Sequence, residues 1–191
     1  SGISGVDVGG ATVKLTDEGR FSLVIGAADM GTGCDTILAQ MVAECMECTV
    51  DDVTVYSADS DMSPYDSGSY ASSTTYVTGN AVVRACETLK DKICTEGAVM
   101  LGVNKEDVVY ENDEVRCLKD SRKVSLEQIA TASMCGSNDA LQVTETASLP
   151  SSPPPFMVGM VETEIDRETG ELKIIAVSYT HLRAHETCAD L

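Results

Sequence analysis

Two short segments carry residue types suited to holding a ligand. The first is Asp29-Met30-Gly31-Thr32-Gly33-Cys34-Asp35, and the second runs from Asp66-Ser67-Gly68-Ser69 through Ser72, Ser73, Thr74 and Thr75. Glycines let a backbone approach a bound group closely, and hydroxyls donate to phosphate or ring-carbonyl oxygens. Each segment leads into a helical pattern, whose first amides lack partners and favour an anion. The same Ser, Thr and Asp residues also serve as helix caps. On residue types alone capping weighs more, and Asp35 would repel a phosphate.

Other candidates read more plainly. Cys45 and Cys48 form a C-x-x-C, which suits a redox pair or half a metal site. Cys45 falls on an apolar helical stripe and no second C-x-x-C exists, so free thiols are the expected state. Cys34, Cys86, Cys94, Cys117 and Cys135 lack ferredoxin spacing. Asp59 and Asp61 suit acid–base work or a divalent ion, but a solvated loop accounts for them. No Gly-x-Ser-x-Gly elbow occurs. His181 and His185 have the spacing of zinc ligands on one helical face, and they are the only histidines.

The elements that must position these residues follow from periodicity. Val13 and Leu15, then Phe21, Leu23 and Ile25, alternate with polar residues as strands do, around an Asp17-Glu18-Gly19 turn. Ile37, Leu38, Met41, Val42, Cys45 and Met46 make a helical stripe. A short strand is expected at Val53 to Ser57, then a polar loop to Tyr70. A longer helix is expected from about Ser72 to about Glu96, with Gly79 marking close backbone packing. Val108 to Glu111 and Glu114 to Cys117 read as a hairpin around Asn112-Asp113. Ser125 with Gln128 forms a capping box opening a short helix. Four of the five prolines lie in Pro150 to Pro155, a stiff connector, and a strand pair, Val161 to Ile165 and Leu172 to Val177, follows it. Mixed strands, helices and hairpins make the fold class α+β, with mixed sheets and amphipathic helices packed on one side.

Charge narrows the partners. A formal net charge of −18 argues against nucleic acid and against anionic membranes. No apolar run approaches the roughly 20 residues of a membrane span, and no signal peptide opens the chain. Eight cysteines within a helical and strand pattern suit a reducing, cytoplasmic setting better than a disulfide scaffold. The first residue is Ser1, and a piece of a longer chain is expected.

The two loops also carry a resemblance. Asp29-Met30-Gly31-Thr32-Gly33-Cys34-Asp35-Thr36, followed by Leu38-Ala39-Gln40, resembles the molybdopterin-binding subunit of the xanthine dehydrogenase/aldehyde oxidase family. So does Ala58-Asp59-Ser60-Asp61, Pro64, Asp66-Ser67-Gly68-Ser69-Tyr70-Ala71-Ser72-Ser73, then Gly79-Asn80-Ala81-Val82. Glu162-Thr163-Glu164-Ile165-Asp166 ahead of Glu168-Thr169-Gly170-Glu171 is similar to the family's later strand pair.

The resemblance implies cofactor contacts from Met30, Gly31, Thr32 and Gly33 on one side and from Ser69, Ser72 and Thr74 on the other. The family usually has Gln at the position of Thr32, which leaves backbone contacts there, and Arg in many members at Ser73. The implied cofactor is molybdenum–molybdopterin, in bacterial members commonly the cytosine dinucleotide form. The implied reaction hydroxylates a purine, N-heterocycle or aldehyde carbon with water, using a downstream Glu as base. Iron–sulfur clusters and FAD would sit on partner domains or subunits. Nothing here matches the segment bearing that Glu, so no catalytic residue and no metal ligand is assigned. The partners implied are the remaining portion of the molybdenum subunit, iron–sulfur and flavin subunits, and a small-molecule substrate.

The expected organisation is a molybdopterin-binding lobe at 1–149, the connector at 150–155, and a hairpin of a second lobe at 156–177. Residues 178–191 resemble translated adapter read-through and are expected to be foreign to the fold, which would remove the His pair. The competing readings are a non-catalytic anion- or nucleotide-binding module on the same two helix starts, and a thiol redox protein built on Cys45 and Cys48.

Overall fold

Alternating burial builds the first two strands of the computed structural model, which describes residues 6–137, 140–148, 151 and 158–180. In β1 (Gly9–Leu15) the side chains of Ala11, Val13 and Leu15 point inward, and in β2 (Phe21–Ile25) those of Phe21, Leu23 and Ile25. Burying each of the larger ones contributes about 1.5–3 kcal/mol. The two strands pair antiparallel, and Gly19 takes the turn at φ 75°.

The chain then enters α1 (Cys34–Met46). Its buried face is Leu38, Ala39, Val42, Ala43 and Met46, while Ile37, Met41 and Cys45 are only half-buried. The apolar stripe is thus rotated by one residue, because two small alanines let the helix settle closely. Glu47 ends the helix in the left-handed region, with φ 55°. β3 (Val53–Ser57) returns parallel to β2, in register from Phe21 opposite Val53 to Ile25 opposite Ser57. Strand, helix and parallel strand make one βαβ unit.

The second helix, α2 (Thr74–Leu101), starts later and runs further than periodicity indicates. Tyr70–Ser72 forms a 3-10 turn with Ser72 at φ 59°, which delays the start. Gly97 and Ala98 are buried, so packing carries the helix past Glu96 to a left-handed cap at Gly102. Gly79 lies against α1 as expected: a Cβ there would stand 2.8 Å from Met41 Sδ.

A three-stranded antiparallel sheet follows, β4 (Val108–Glu111), β5 (Glu114–Cys117) and β6 (Lys123–Ser125). Its first turn has Asn112 and Asp113 at φ 49° and 60°, the mirror-image geometry that hairpins favour. Ser125 accepts from the Gln128 amide and Gln128 returns the bond, capping α3 (Leu126–Ala132). β7 (Gln142–Ala147), a segment with no assigned element at the sequence level, then pairs antiparallel with β1. The main sheet order is β3-β2-β1-β7. Its inward residues join those of α1, α2, α3 and β5 in one core.

A separate hairpin closes the described chain, β8 (Val158–Ile165) and β9 (Leu172–Thr180), with the side chains of β8 and of Leu172 to Ser178 exposed. β9 includes Ser178, Tyr179 and Thr180, paired with Met160, Gly159 and Val158. Of the connector only residue 151 is described, and His181, His185 and the rest of 181–191 lie outside the described residues. The architecture is α+β, as the sequence indicates. No helix among the described residues is long and apolar enough to cross a membrane.

Candidate functional site

The βαβ unit explains why the two loops meet. β2 and β3 are neighbours and parallel, so both release their loops at the same edge of the sheet. Ligands in open α/β arrangements favour that edge, outside the carboxyl ends of parallel strands. The Ala58 amide donates to the Ile25 carbonyl at 3.1 Å, so the loops begin side by side. One turn on, Ser57 Oγ donates to Asp35 Oδ2 at 3.0 Å and ties the end of β3 to the start of α1.

In the first loop the amides converge on a residue of the loop itself. Gly31 and Gly33 donate to Asp29 Oδ1 at 2.9 and 3.1 Å. Desolvation raises the Asp29 pKa, but the amides of Gly33, Gly31, Asp35 and Thr32 outweigh it and hold the carboxyl below its usual value. Gly31 and Gly33 have φ 88° and 71°, and a Cβ on either would meet nothing within 4 Å. The glycine donors expected to face a ligand therefore turn inward, while their Cα faces stay open. Met30 stands out at the tip, 66% exposed, and Thr32 is half-buried. Gly33 is the N-cap of α1, with no side chain bonded across it.

Asp29, Cys34 and Asp35 offer three ligand atoms within 4.8 Å of one another. Burial and the two carboxylates push the Cys34 thiol up to about 11, so it keeps its proton at neutral pH.

The second loop lies over glycines that the sequence reading did not single out. A Cβ on Gly26 would stand 2.4 Å from the Pro64 carbonyl oxygen, and one on Gly10 2.7 Å from Pro64 Cβ. A Cβ on Gly9 would stand 2.5 Å from Thr78 Oγ1. Glycine inside a strand is the signal for such a close approach. Asp66 organises the loop, accepting from the Gly68 amide at 2.9 Å and from Thr78 Oγ1 at 2.8 Å. Ser67 holds Val8 through both backbone groups.

Of the expected contact residues, Ser69 and Thr74 are brought together, their hydroxyls 2.6 Å apart. Ser72 is half-buried one turn before the helix. Ser73, where many relatives have Arg, is buried at the start of α2. Neither N-cap residue, Gly33 of α1 nor Ser73 of α2, makes a side-chain cap bond, but in the first loop the Asp29 carboxylate takes the amides at the start of α1, as the capping reading expects.

Where the two loops begin, a cavity of about 340 Å³ is lined by Gly26, Ala28, Ala58, Asp59, Ser60 and Ser63 to Asp66, and none of the expected contact residues lines it. Ser63 Oγ is buried without a hydrogen-bond partner. A buried hydroxyl left unpaired costs about 1–3 kcal/mol, which a bound acceptor would recover. The edge offers hydroxyls, amides and bare backbone, the chemistry of holding a polar ligand.

Comparison with known proteins shows the family of the chain. A family model described as the molybdopterin cofactor-binding domain matches residues 2–181. The Escherichia coli K12 protein named probable hypoxanthine oxidase XdhD is 35% identical over 175 residues, covering 91% of this chain and 18% of that protein. The xanthine dehydrogenase molybdenum-binding subunit of Escherichia coli O157:H7 is 28% identical over 186 residues, covering 95% of this chain and 25% of that subunit. Carbon monoxide dehydrogenase from Oligotropha carboxidovorans shares the fold, with a TM-score of 0.79 at 24% identity, over 92% of this chain and 23% of its own. The chain thus spans a quarter or less of the length of these relatives.

Proposed function

The chain belongs to the molybdopterin cofactor-binding domain family, and from that premise we propose that it forms one wall of the cofactor cleft in a molybdenum hydroxylase large subunit. The observation that carries the reading is the shared edge of β2 and β3, from which the two hydroxyl- and glycine-bearing loops leave side by side, next to a cavity whose lining includes Ser63 with its unpaired buried hydroxyl. That donor set fits a group with phosphate and ring-carbonyl oxygens.

In this proposal Met30, Gly31, Thr32 and Gly33 form one contact strip. The open Cα faces of Gly31 and Gly33 let a flat ring lie against the backbone, since no Cβ intervenes. Ser69, Ser72 and Thr74 form the other. The Ser69–Thr74 hydroxyl pair shares one proton between two oxygens, so one O–H remains to donate to an anionic oxygen. Bound there as molybdenum–molybdopterin, in the cytosine dinucleotide form, the group supplies two-electron oxidation of a substrate carbon.

The whole enzyme hydroxylates a purine, N-heterocycle or aldehyde carbon with water, and its general base lies on the remaining portion of the subunit. Relatives named for hypoxanthine and xanthine support the purine end of that range. Iron–sulfur and flavin subunits complete the electron path, and the cytoplasm is the proposed compartment.

The test is made in the complete subunit that carries this chain. Replacing Ser69, Ser72 and Thr74 together with Ala removes the one O–H that the Ser69–Thr74 pair leaves free and that of Ser72, each about 1.5–3 kcal/mol to a charged group. Molybdenum by elemental analysis and pterin by fluorescence after oxidation should fall together, with circular dichroism unchanged. Full occupancy in that variant would overturn the assignment.

A further inference from the structure

The packing of α1 on α2 brings together a thiol pair that sequence spacing does not suggest. Two fixed contacts bracket it. On one side Gly79 sits under Met41, where a Cβ would stand 2.8 Å from Met41 Sδ. On the other, Lys90 Nζ donates to Glu47 Oε1 at 2.8 Å and lies 4.7 Å from the Tyr110 ring centre. Cys45 falls between Met41 and Glu47, and Cys86 between Gly79 and Lys90. Between those two pins the Cys45 and Cys86 side chains lie on facing sides of the helix interface, near enough for each thiol to shift the other's proton affinity. Both cysteines are free, Cys86 buried and Cys45 half-buried.

Cys48 does not share this setting. Glu47 leaves the helix at φ 55°, and the Cys48 amide folds back to the Ala43 carbonyl at 3.0 Å. The turn carries Cys48 past the end of the helix, near Asp113 and Asp52, while it remains within electrostatic reach of Cys86.

We propose that Cys45 and Cys86 form a redox pair, which a small-molecule disulfide oxidises to a cross-link between α1 and α2. The Cys45 thiolate attacks one sulfur of the reagent, forming a mixed disulfide and releasing one thiolate. Cys86 then attacks the Cys45 sulfur, and the second reagent thiolate leaves. The two protein thiols lose two electrons and two protons, and the reagent departs as two thiols.

The electrostatics suit this order of events. The Cys86 thiol beside it, with Lys90 assisting, lowers Cys45 against burial and the Glu87 and Glu44 carboxylates, and Cys45 is also the more accessible of the two. The neighbouring Cys45 thiol and burial push Cys86 up, so it enters second. Burial and the Asp113 and Asp52 carboxylates push Cys48 up to about 11. Thiolate character decides which sulfur reacts first.

The experiment treats the 191-residue chain, reduced and then desalted, with hydroxyethyl disulfide at neutral pH. Remaining thiols are blocked in denaturant, and intact mass and peptide mapping follow. The expected result is the α1 peptide joined to the α2 peptide through Cys45 and Cys86, about 2 Da lighter than the two reduced peptides together, while exposed Cys135 ends as a mixed disulfide. Cys45 should react roughly tenfold faster than Cys48. Cys48→Ala should leave the cross-link intact. Cys86→Ala and Cys86→Ser should each stop at the Cys45 mixed disulfide.

Three results would overturn the proposal. One is a Cys45–Cys48 linkage, and another is full recovery of both thiols. The third is the same mixture of linkages in urea as in native buffer, which would show that the fold does not select the pair.

Discussion

Thr78 and Asp66 are joined by a 2.8 Å hydrogen bond, hydroxyl to carboxylate, between a residue 1% exposed on α2 and the middle of the second loop. Thr78 also roofs Gly9 so closely that no Cβ fits between them. One side chain therefore locks loop, helix and first strand together at the edge where the ligand is proposed to bind. Thr78→Val keeps the shape and removes the donor. A lost bond to a charged group costs about 1.5–3 kcal/mol, so the urea midpoint should fall accordingly, while Thr78→Ser recovers most of it. An unchanged midpoint in the Val variant would mean that the bond does not hold the loop.

Gly26 tests the close approach of loop and sheet. Ala at this position must push the Pro64 carbonyl, 2.4 Å from the new Cβ, and Asp66 Cβ at 2.8 Å. Both are attached directly to backbone and cannot rotate away. The expected cost is about 1–3 kcal/mol, the scale of overpacking. Thermal unfolding reads it, and Gly26→Ala as stable as the parent would refute the contact.

Two helix glycines should respond oppositely to the same change. At Gly79 the obstacle is the flexible end of Met41, so the helix propensity gain of about 1 kcal/mol offsets a small readjustment. At Gly97 a Cβ would stand 2.7 Å from Val115 Cγ1 and 2.8 Å from Val115 Cβ. That side chain is stiff and fully buried. Gly97→Ala is expected to lose about 1–3 kcal/mol and Gly79→Ala to stay near neutral. Denaturation curves measured side by side check this, and equal losses would contradict it.

Asp113 supplies a pH prediction. Desolvation and the nearby Asp52 and Glu47 carboxylates raise its pKa in the folded state. A raised carboxyl pKa means that folding favours the protonated form. Its contribution to stability is fullest below the unfolded pKa and is lost as pH rises through the folded value. Asp113→Asn removes the charge and suits φ 60°. The gain should be up to about 0.5 kcal/mol at pH 7 and should vanish in acid, where the parent is itself protonated. A gain that persists at pH 3 would point to the backbone alone.

Much of this molecule is legible in its sequence, for a local reason. Phe21, Leu23 and Ile25 announce a strand by their alternation, and Asn112-Asp113 announce a tight hairpin by their tolerance of positive φ. Ser125 and Gln128 cap each other across three residues. These interactions join near neighbours, so residue type and spacing suffice to read them. The Met30–Gly33 and Ser69–Thr74 segments are visible for the same reason, as small polar runs between a strand and a helix.

What brings those segments to one place is decided at long range. The parallel pairing of β2 with β3 sets Ile25 beside Ser57, and nothing in either strand's alternation specifies its neighbour. Burial of α1 against α2 chooses Cys86 as the companion of Cys45, although Cys48 is nearer in the chain. The inward turn of the Gly31 and Gly33 amides onto Asp29 likewise appears only when the loop closes. Sequence by itself determined the elements and the loops between them, because each rests on periodicity and turn chemistry within a few residues. Tertiary structure alone decided which surfaces face each other, because that choice depends on packing between segments many residues apart.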